Sequence, residues 1–244
     1  MHHEPRYLLL QMRNADDPMR EHEVGCFARA LECPRASIAV HDLIAAAPDD
    51  DALNAADVVL LGGSGDYSVV DGGPWLSHAM ETMRRLHDDK KPTFASCWGF
   101  QAMARALGGE VVHDASRAEL GTHSLRLTSA GREDPLFGPL GSPFQAQMGH
   151  QDIVERLPED AVLLASTDTV SNQAFRFREA PIYCTQFHCE LHRDDLLLRV
   201  RAYPQYIEKI AGMTYESFAA ACIDTPETAA VLKRFVGWAL GHLS

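Results

Sequence analysis

Short apolar segments alternate with helical patterns through the first half of this chain, and that alternation constrains the fold more than any other feature. Strand-sized apolar runs occur at Tyr7–Met12, Asp57–Leu61 and Pro92–Ala95, and the helical patterns Glu21–Leu31 and Pro74–Asp89 lie between them. A strand that is apolar on both faces must be covered on both faces, which is typical of a parallel sheet between two helical layers. The sequence therefore predicts an α/β fold with an open, mostly parallel central sheet and helices on both faces.

The middle of the chain differs, because six strand candidates follow one another closely. They are Glu110–Val112, Ser124–Leu127, Phe144–Met148, Val162–Ala165, Ala174–Phe177 and Ile182–Gln186. Parallel strands need long crossover connections, whereas antiparallel strands can be joined by short turns. This region therefore predicts an antiparallel or mixed extension of the same sheet.

The end of the chain returns to helical patterns, over Asp194–Ile207, Tyr215–Ala221 and Glu227–Leu240. Their apolar residues favour packing on the outer face of the sheet, and a homodimer surface is the alternative. No linker rich in proline, glycine or serine separates these parts of the chain. We therefore predict one domain over residues 1–244, with a core at about 5–192 and C-terminal helices at about 193–242.

Charge and cysteine content exclude several classes of protein. The 244 residues include 34 acidic and 22 basic side chains, and the net charge of −12 argues against nucleic acid as a partner. No apolar run approaches the ~20 residues that span a bilayer, and the N-terminus lacks a secretory signal pattern, so no membrane association is predicted. The six cysteines lack paired C-x-x-C spacing, which favours a reducing, cytoplasmic location.

A cysteine stands between a predicted strand and a predicted helix in the segment Ala95–Gln101. The tight turn of a nucleophile elbow needs small residues two positions before and after the nucleophile, and Ala95 and Gly99 meet that need around Cys97. A helix N-terminus favours a thiolate, and the backbone N–H of Trp98 would point toward a developing oxyanion. The alternative is that Cys97 is an ordinary small buried residue.

A histidine and a glutamate follow the strand candidate Ile182–Gln186. Residues two apart in an extended chain point to the same side, so Glu190 can bind one imidazole nitrogen of His188 and leave the other facing a thiol. The alternatives are a core histidine bonded to a carbonyl and a solvated capping acid. A metal site is a further alternative, although its residues lack the separated pairs of structural zinc sites; they would be Cys184, His188, Cys189 and His192.

Glycines follow the strand candidate Asp57–Leu61, at Gly62, Gly63 and Gly65. Glycine lets a backbone N–H approach a substrate closely, so the N–H of Gly63 is a candidate for a second oxyanion donor, and a plain tight turn is the alternative. The segment lacks the Gly-Lys-Ser/Thr of a phosphate loop and the glycine spacing of a dinucleotide site.

These segments together resemble the class I, or triad-type, glutamine amidotransferases. The G-x-C-x-G-x-Q motif of that family is similar to Ala95–Gln101, with Ala95 in place of glycine. Its Q-x-H-P-E motif is similar to Gln186–Glu190, with Cys189 in place of proline, and its Gly-Gly oxyanion strand resembles Gly62-Gly63. Two further similarities are weaker. One is to an E-x-G motif that follows Leu-Gly-Gly, seen here as Leu107–Gly109 and Glu119–Gly121. The other is to the histidine–aspartate turn of GMP-synthetase-type domains, seen here as Met148–Asp152 with Leu157-Pro158 downstream.

The resemblance implies a flavodoxin-like domain that acts on a γ-glutamyl amide and requires neither a metal nor an organic cofactor. Cys97 would attack the side-chain amide of glutamine, His188 would manage the proton, and Glu190 would hold His188. The N–H groups of Gly63 and Trp98 would stabilise the oxyanion. The residues expected to position the substrate are Gln101, Gly62 and His150.

Amidotransferases usually pass ammonia to a synthase, and the residues that follow Glu190 are too few to form one. We therefore predict that any ammonia acceptor is a separate protein, and that the substrate is glutamine or another γ-glutamyl small molecule. One alternative is a γ-glutamyl peptidase or hydrolase that acts on γ-glutamyl conjugates. The other is a non-catalytic interaction module, against which the complete set of Cys97, His188 and Glu190 argues.

Overall fold

The computed structural model describes residues 4–241, in which eleven strands and eight α-helices follow one another. The strands are β1 Tyr7–Met12, β2 Ile38–Asp42, β3 Val58–Ser64, β4 Thr93–Ser96, β5 Glu110–His113, β6 Glu119–Leu127, β7 Phe144–His150, β8 Asp152–Arg156, β9 Ala161–Ser166, β10 Ala174–Phe177 and β11 Ile182–Thr185. The helices are α1 Met19–Ala30, α2 Asp50–Ala55, α3 Leu76–Asp88, α4 Trp98–Ala106, α5 Ser129–Glu133, α6 Arg193–Ala202, α7 Tyr215–Ala221 and α8 Pro226–Gly241.

Nine of the strands form one mixed sheet in the order β2-β1-β3-β4-β11-β10-β9-β6-β7. The pairs from β2 to β11 are parallel, and the pairs from β11 to β7 are antiparallel. This confirms the predicted parallel sheet with an antiparallel extension. The prediction was wrong for Glu110–Val112, because β5 leaves the main sheet and pairs with β8 in a separate two-stranded sheet.

The sheet is buried on both faces, as its apolar strands predict. Along β1, Tyr7 and Leu9 belong to the apolar cluster that contains residues of α1 and α8. Leu8, Leu10 and Met12 belong to the opposite cluster, which contains residues of α3 and α4. Because successive side chains of a strand point to opposite faces, these five positions of β1 all carry apolar residues, and the sixth is Gln11, a buried polar residue that donates to Glu23.

The C-terminal helices divide between two locations. Helix α8 joins the core cluster beside α1, whereas α6 and α7 form a third apolar cluster with the turn that follows α6. The predicted continuous helix over Asp194–Ile207 was wrong, since α6 ends at Ala202 and a single π-helical turn occupies Ile207–Ala211. Tyr203 leaves the helical conformation (φ −126°, ψ 67°) because the following Pro204 disfavours it. No helix within residues 4–241 is long and apolar enough to cross a membrane.

Strand β3 contains a glycine that a buried carboxylate requires. The side chain of Glu23 is fully buried, and its oxygens accept hydrogen bonds from Gln11 Nε2 (3.0 Å) and Arg13 Nη2 (3.1 Å). A Cβ at Gly62 would lie only 2.8 Å from Glu23 Cδ. Since Glu23 is held by two partners, it has little freedom to move away.

We expect Gly62→Ala to lower the free energy of unfolding by about 1–3 kcal/mol, because the added methyl overpacks a closed site. Gly237→Ala is the matched control, since a Cβ at that exposed position of α8 meets open space. Alanine in a helix is more favourable than glycine, so the control should be neutral or stabilising by up to about 1 kcal/mol. Urea denaturation measures both variants, and equal stabilities would contradict this account.

Candidate active site

The carboxyl ends of β3, β4 and β11 lie side by side at one edge of the sheet. Strand β4 pairs in parallel with β3, where Leu61 is opposite Ala95, and with β11 on its other side. Gly63 lies near the end of β3, and the segments that follow β4 and β11 carry Cys97 and His188. The topology therefore brings together the predicted thiol, imidazole and glycine, at the location where open α/β sheets bind ligands.

Cys97 occupies a strained turn between β4 and α4. Its backbone has φ 52° and ψ −103°, a left-handed conformation that is unfavourable for a residue with a side chain. Two hydrogen bonds hold the turn, from the Cys97 N–H to the Thr185 carbonyl (2.8 Å) and from the Gln101 N–H to the Cys97 carbonyl (3.2 Å). A Cβ at Gly99 would lie 3.2 Å from Ala95 Cβ, so residues 95 and 99 approach each other closely, as small residues permit.

His188 and Glu190 form a buried pair. The distance from His188 Nδ1 to Glu190 Oε1 is 2.6 Å, and the Ser96 hydroxyl lies 3.2 Å from the other carboxylate oxygen. Burial lowers the pKa of His188, but the charges of Glu190 and Cys97 and hydrogen bonds with both outweigh it and raise this pKa to about 9. The pair is thus arranged to keep a proton on the imidazole beside the thiol.

Glu190 is held as a carboxylate despite its burial. Burial alone would raise the pKa of Glu190, but His188 and the Arg199 guanidinium lower it to about 2. The distance from Arg199 Nη1 to Glu190 Oε1 is 3.8 Å, and Arg199 Nη2 lies 3.9 Å from Glu23 Oε1. An arginine of the C-terminal helix α6 therefore supports the charge that holds His188.

The thiol and the imidazole share the space in front of Gly63. A Cβ at Gly63 would lie 3.1 Å from His188 Cε1 and 3.7 Å from Cys97 Sγ. The Cys97 thiol lies 3.7 Å from the Gly149 carbonyl, to which it can donate. Trp98 is the first residue of α4, so its N–H has no intrahelical carbonyl partner. Gly63 and the first residue of α4 therefore lie beside Cys97.

The three residues predicted to position a substrate lie in different settings. Gln101 donates through Nε2 to the Asp152 carbonyl and to Gln186 Oε1 (3.1 Å each), and it borders the cleft beside Cys97. His150 borders the same cleft, and its Nε2 lies 3.1 Å from Glu119 Oε2. Gly62 faces Glu23 rather than the cleft.

Cys189 occupies the position where the family motif has proline. Its side chain is buried in the apolar cluster that contains Phe187 and Phe235, and burial raises the pKa of its thiol well above the ordinary value. The hydrogen bond between His188 and Glu190 forms without the fixed backbone angle that proline would supply. Ala95, the other departure from the motif, has no positive φ and so needs no glycine.

The residues of the metal alternative do not gather into one cluster. Cys184 and Cys189 belong to the apolar clusters on opposite faces of the sheet, and His188 faces Cys97. Within residues 4–241, three side chains that could share a cation lie elsewhere, at His22, Cys26 and Asp195. Arg29 donates to both Cys26 and Asp195, so a cation there would meet an existing positive charge.

Sequence reasoning missed Arg199, although a signal for it exists. Leu196, Val200 and Tyr203 follow helical spacing on one face of α6, and Arg199 occupies a position on the same face. An arginine within an apolar stripe requires a buried partner, since an unpaired buried charge is costly. The sequence alone does not identify the carboxylate that Arg199 contacts, because that depends on the tertiary structure.

The fold and this arrangement define an α/β protein with a cysteine at a strand-to-helix turn, beside a buried histidine–glutamate pair. The family model for class I glutamine amidotransferases matches residues 26–195. The chain belongs to the class I glutamine amidotransferase family.

Individual relatives agree with that assignment. Over 123 residues the chain is 32% identical to a glutamine-hydrolysing GMP synthase subunit from Methanocaldococcus jannaschii, a match that covers 50% of this chain and 63% of the relative. It is 26% identical over 187 residues to γ-glutamyl peptidase 3 of Arabidopsis thaliana, covering 75% of this chain and 72% of the peptidase.

Solved structures share the fold. A glutamine amidotransferase from Thermotoga maritima superposes with a TM-score of 0.72 at 21% identity, covering 99% of each chain. A GMP synthase subunit protein from Thermoplasma acidophilum gives a TM-score of 0.69 at 21% identity, covering all of this chain and 98% of the other. The flavodoxin-like fold inferred from the sequence motifs is thereby confirmed.

Proposed function

We propose that this chain hydrolyses the side-chain amide of glutamine, or a related γ-glutamyl amide, through Cys97, His188 and Glu190. The observation that carries the proposal is the meeting of these three groups at adjacent strand ends. Cys97 adopts a strained turn, His188 lies 2.6 Å from Glu190, and Gly63 faces both the thiol and the imidazole.

The reaction would begin with attack of the Cys97 thiolate on the γ-carbonyl carbon, which forms a C–S bond. The N–H groups of Gly63 and Trp98 would donate to the oxyanion of the tetrahedral intermediate. His188 would give its proton to the leaving nitrogen as the C–N bond breaks, releasing ammonia from glutamine. Water, deprotonated by His188, would then attack the thioester and release glutamate with the free thiol.

The glutamyl part of the substrate would occupy the cleft of about 630 Å³ that lies beside Cys97 and the start of α4. Polar side chains border this cleft, among them Ser64, Asp66, Gln101 and Asp152. Such a lining suits a zwitterionic amino-acid group, whose ammonium and carboxylate need polar partners. His150 would keep its predicted role in this cleft.

When glutamine is the donor, the ammonia released would pass to a separate acceptor protein. Relatives that are named as one subunit of a GMP synthase support an acceptor on a second polypeptide. The matched region spans 63% and 64% of the first two of these relatives. Comparing glutamine hydrolysis with and without a candidate synthase tests this partnership, and a stimulated rate is expected.

The direct test of the proposed function is glutamate release. The protein is incubated with L-glutamine and with γ-glutamyl dipeptides, and glutamate is quantified over time. Glutamate from at least one of these substrates supports the proposal. Glutamate from none of them, with the synthase partner also supplied, would exclude the enzymatic role and favour an interaction module.

We expect Gly63→Ala to lower kcat/KM for glutamate release by about 10²-fold or more, because the added methyl group would keep the oxyanion away from the N–H of residue 63, with an effect similar to that of losing one oxyanion donor. The methyl group would occupy the space between His188 and Cys97, where the reacting carbonyl must enter. Gly25→Ala in α1 is the control, because its Cβ meets only Arg35, at 3.5 Å. If Gly63→Ala kept a kcat/KM within threefold of the wild-type value, Gly63 would not lie next to the reacting carbonyl.

A further inference from the structure

Two clefts meet at Cys97, and they differ in chemistry. The polar cleft assigned above to the glutamyl group extends toward Gln101 and Asp152. A second cleft, with about 510 Å³ of empty space, extends from Cys97 toward the C-terminal helices. Cys97 and Gly149 border both clefts, so one substrate can reach into both while its reacting carbonyl lies at the thiol.

The second cleft has an apolar wall. Leu120 of β6 and Leu196 and Val200 of α6 line it. Leu120 is paired across the β6–β7 ladder with Gly149, whose carbonyl faces the Cys97 thiol, and a Cβ at Gly149 would lie 3.7 Å from Leu120 Cδ1. An apolar surface thus begins close to the reacting sulfur.

Carboxylates of the protein face the two arginines that border this cleft. Arg13 binds Glu23 and Asp17, at 3.1 Å each. Arg199 faces Glu190 and Glu23, at 3.8 and 3.9 Å. Carboxylates inside the protein thus oppose both charges, while Arg13 Nε and the Nε and Nη2 atoms of Arg199 have no hydrogen-bond partner among the described residues.

Two tyrosines close the cleft, and their hydroxyl groups are also engaged. The Tyr203 hydroxyl donates to Asp17 Oδ1 (2.7 Å), and the Tyr206 hydroxyl donates to the Gly65 carbonyl (2.9 Å). Their rings lie in an edge-to-face arrangement, with centroids 6.0 Å apart. The cleft is therefore bordered by aromatic surface as well as by aliphatic side chains.

The position of His188 decides which part of a substrate enters this cleft. His188 borders the apolar cleft, and it is absent from the residues that border the polar cleft. The group that donates a proton to the leaving nitrogen must face that nitrogen. The leaving amine therefore lies on the apolar side of Cys97, and any substituent on its nitrogen extends toward Leu120 and Val200.

We propose that the substrates of this chain are γ-glutamyl amides of apolar amines, such as γ-glutamyl dipeptides with a leucine- or phenylalanine-like second residue. This inference rests on the proposed function, since it uses the same thiol and the same proton donor. Cys97 Sγ bonds to the carbonyl carbon of the γ-glutamyl amide, the C–N bond at that carbon breaks, and His188 protonates the departing amine. Water then cleaves the thioester, so the products are glutamate and the free apolar amine.

The test compares kcat/KM for γ-glutamyl-leucine, γ-glutamyl-glycine and L-glutamine, with glutamate release as the readout. We expect γ-glutamyl-leucine to exceed γ-glutamyl-glycine at least tenfold, because its side chain is buried against an apolar wall. Equal values for the two dipeptides, with glutamate still released, would overturn this inference and leave the proposed function standing. Release from none of the three substrates would instead overturn the proposed function.

Two variants test whether the preference for γ-glutamyl-leucine over γ-glutamyl-glycine arises in the apolar cleft. Leu120→Asn places a polar group in the apolar wall, so we expect the ratio of kcat/KM for γ-glutamyl-leucine to that for γ-glutamyl-glycine to fall at least fivefold. Leu198→Asn is the matched control, because Leu198 lies on α6 with 45% of its surface exposed and does not border the cleft. If this ratio were unchanged in Leu120→Asn, the leaving amine would not contact Leu120. The wild-type preference tests the inference even if Leu120→Asn fails to fold.

Discussion

Cys97→Ser should reduce glutamate release by at least about 10³-fold, while the protein keeps its fold. Serine differs from cysteine by one atom, so the strained turn and its hydrogen bonds to Thr185 and Gln101 can persist. The hydroxyl holds its proton far more tightly than a thiol, and loss of a nucleophile typically removes most of the rate enhancement. A continuous assay for glutamate, with circular dichroism of the same sample, measures both properties.

Cys33→Ser is the control for that experiment, because Cys33 is a partly buried thiol that does not border either cleft at Cys97. It should retain wild-type activity. If Cys97→Ser kept more than a tenth of the wild-type rate, the thiol of Cys97 would not be the nucleophile. The alternative of an ordinary small buried residue would then apply.

Glu190→Gln should lower kcat by about 10²–10⁴-fold, since an amide can no longer fix the tautomer of His188 as a carboxylate does. The same change should alter the pH profile. The Glu190 charge stabilises the imidazolium and helps raise the pKa of His188 to about 9. Its removal lowers that pKa, so the basic limb of kcat/KM, expected near pH 9 in the wild type, should move to lower pH.

The matched control is Glu21→Gln, because the Glu21 side chain is 87% exposed and lies on α1 away from the thiol. Its pH profile should coincide with that of the wild type. A reduced rate in Glu190→Gln with an unmoved basic limb would indicate a structural role for Glu190. The shift in pH dependence therefore separates an effect on His188 from a general loss of folding.

Local features of the site were predictable because each follows from a short segment. A strand, a small residue, Cys97 and Gly99 specify the elbow, and spacing by two residues specifies the pair of His188 and Glu190. The parallel sheet then brings these segments to one edge. Tertiary pairing was harder to predict, since nothing in the segment Glu110–Val112 indicates that it leaves the main sheet for β8.

The sequence also did not predict charged contacts between segments that are separate along the chain. Gly62 was expected to contact substrate, whereas its missing side chain makes room for Glu23 of α1. Arg199 of α6 lies 3.8 Å from Glu190, and this contact depends on how α6 packs beside the site. Helix α2 was missed as well, because it has six residues and its clearest signal is the cap supplied by Asp49.

Covalent labelling of the intact protein tests the central claim most directly. A glutamine-like electrophile is added with and without excess glutamine, and the labelled peptide is identified by mass spectrometry. The account predicts one label, on Cys97, that glutamine suppresses and that Cys97→Ser abolishes. A label on another cysteine, or labelling of Cys97 that excess glutamine leaves unchanged, would contradict it.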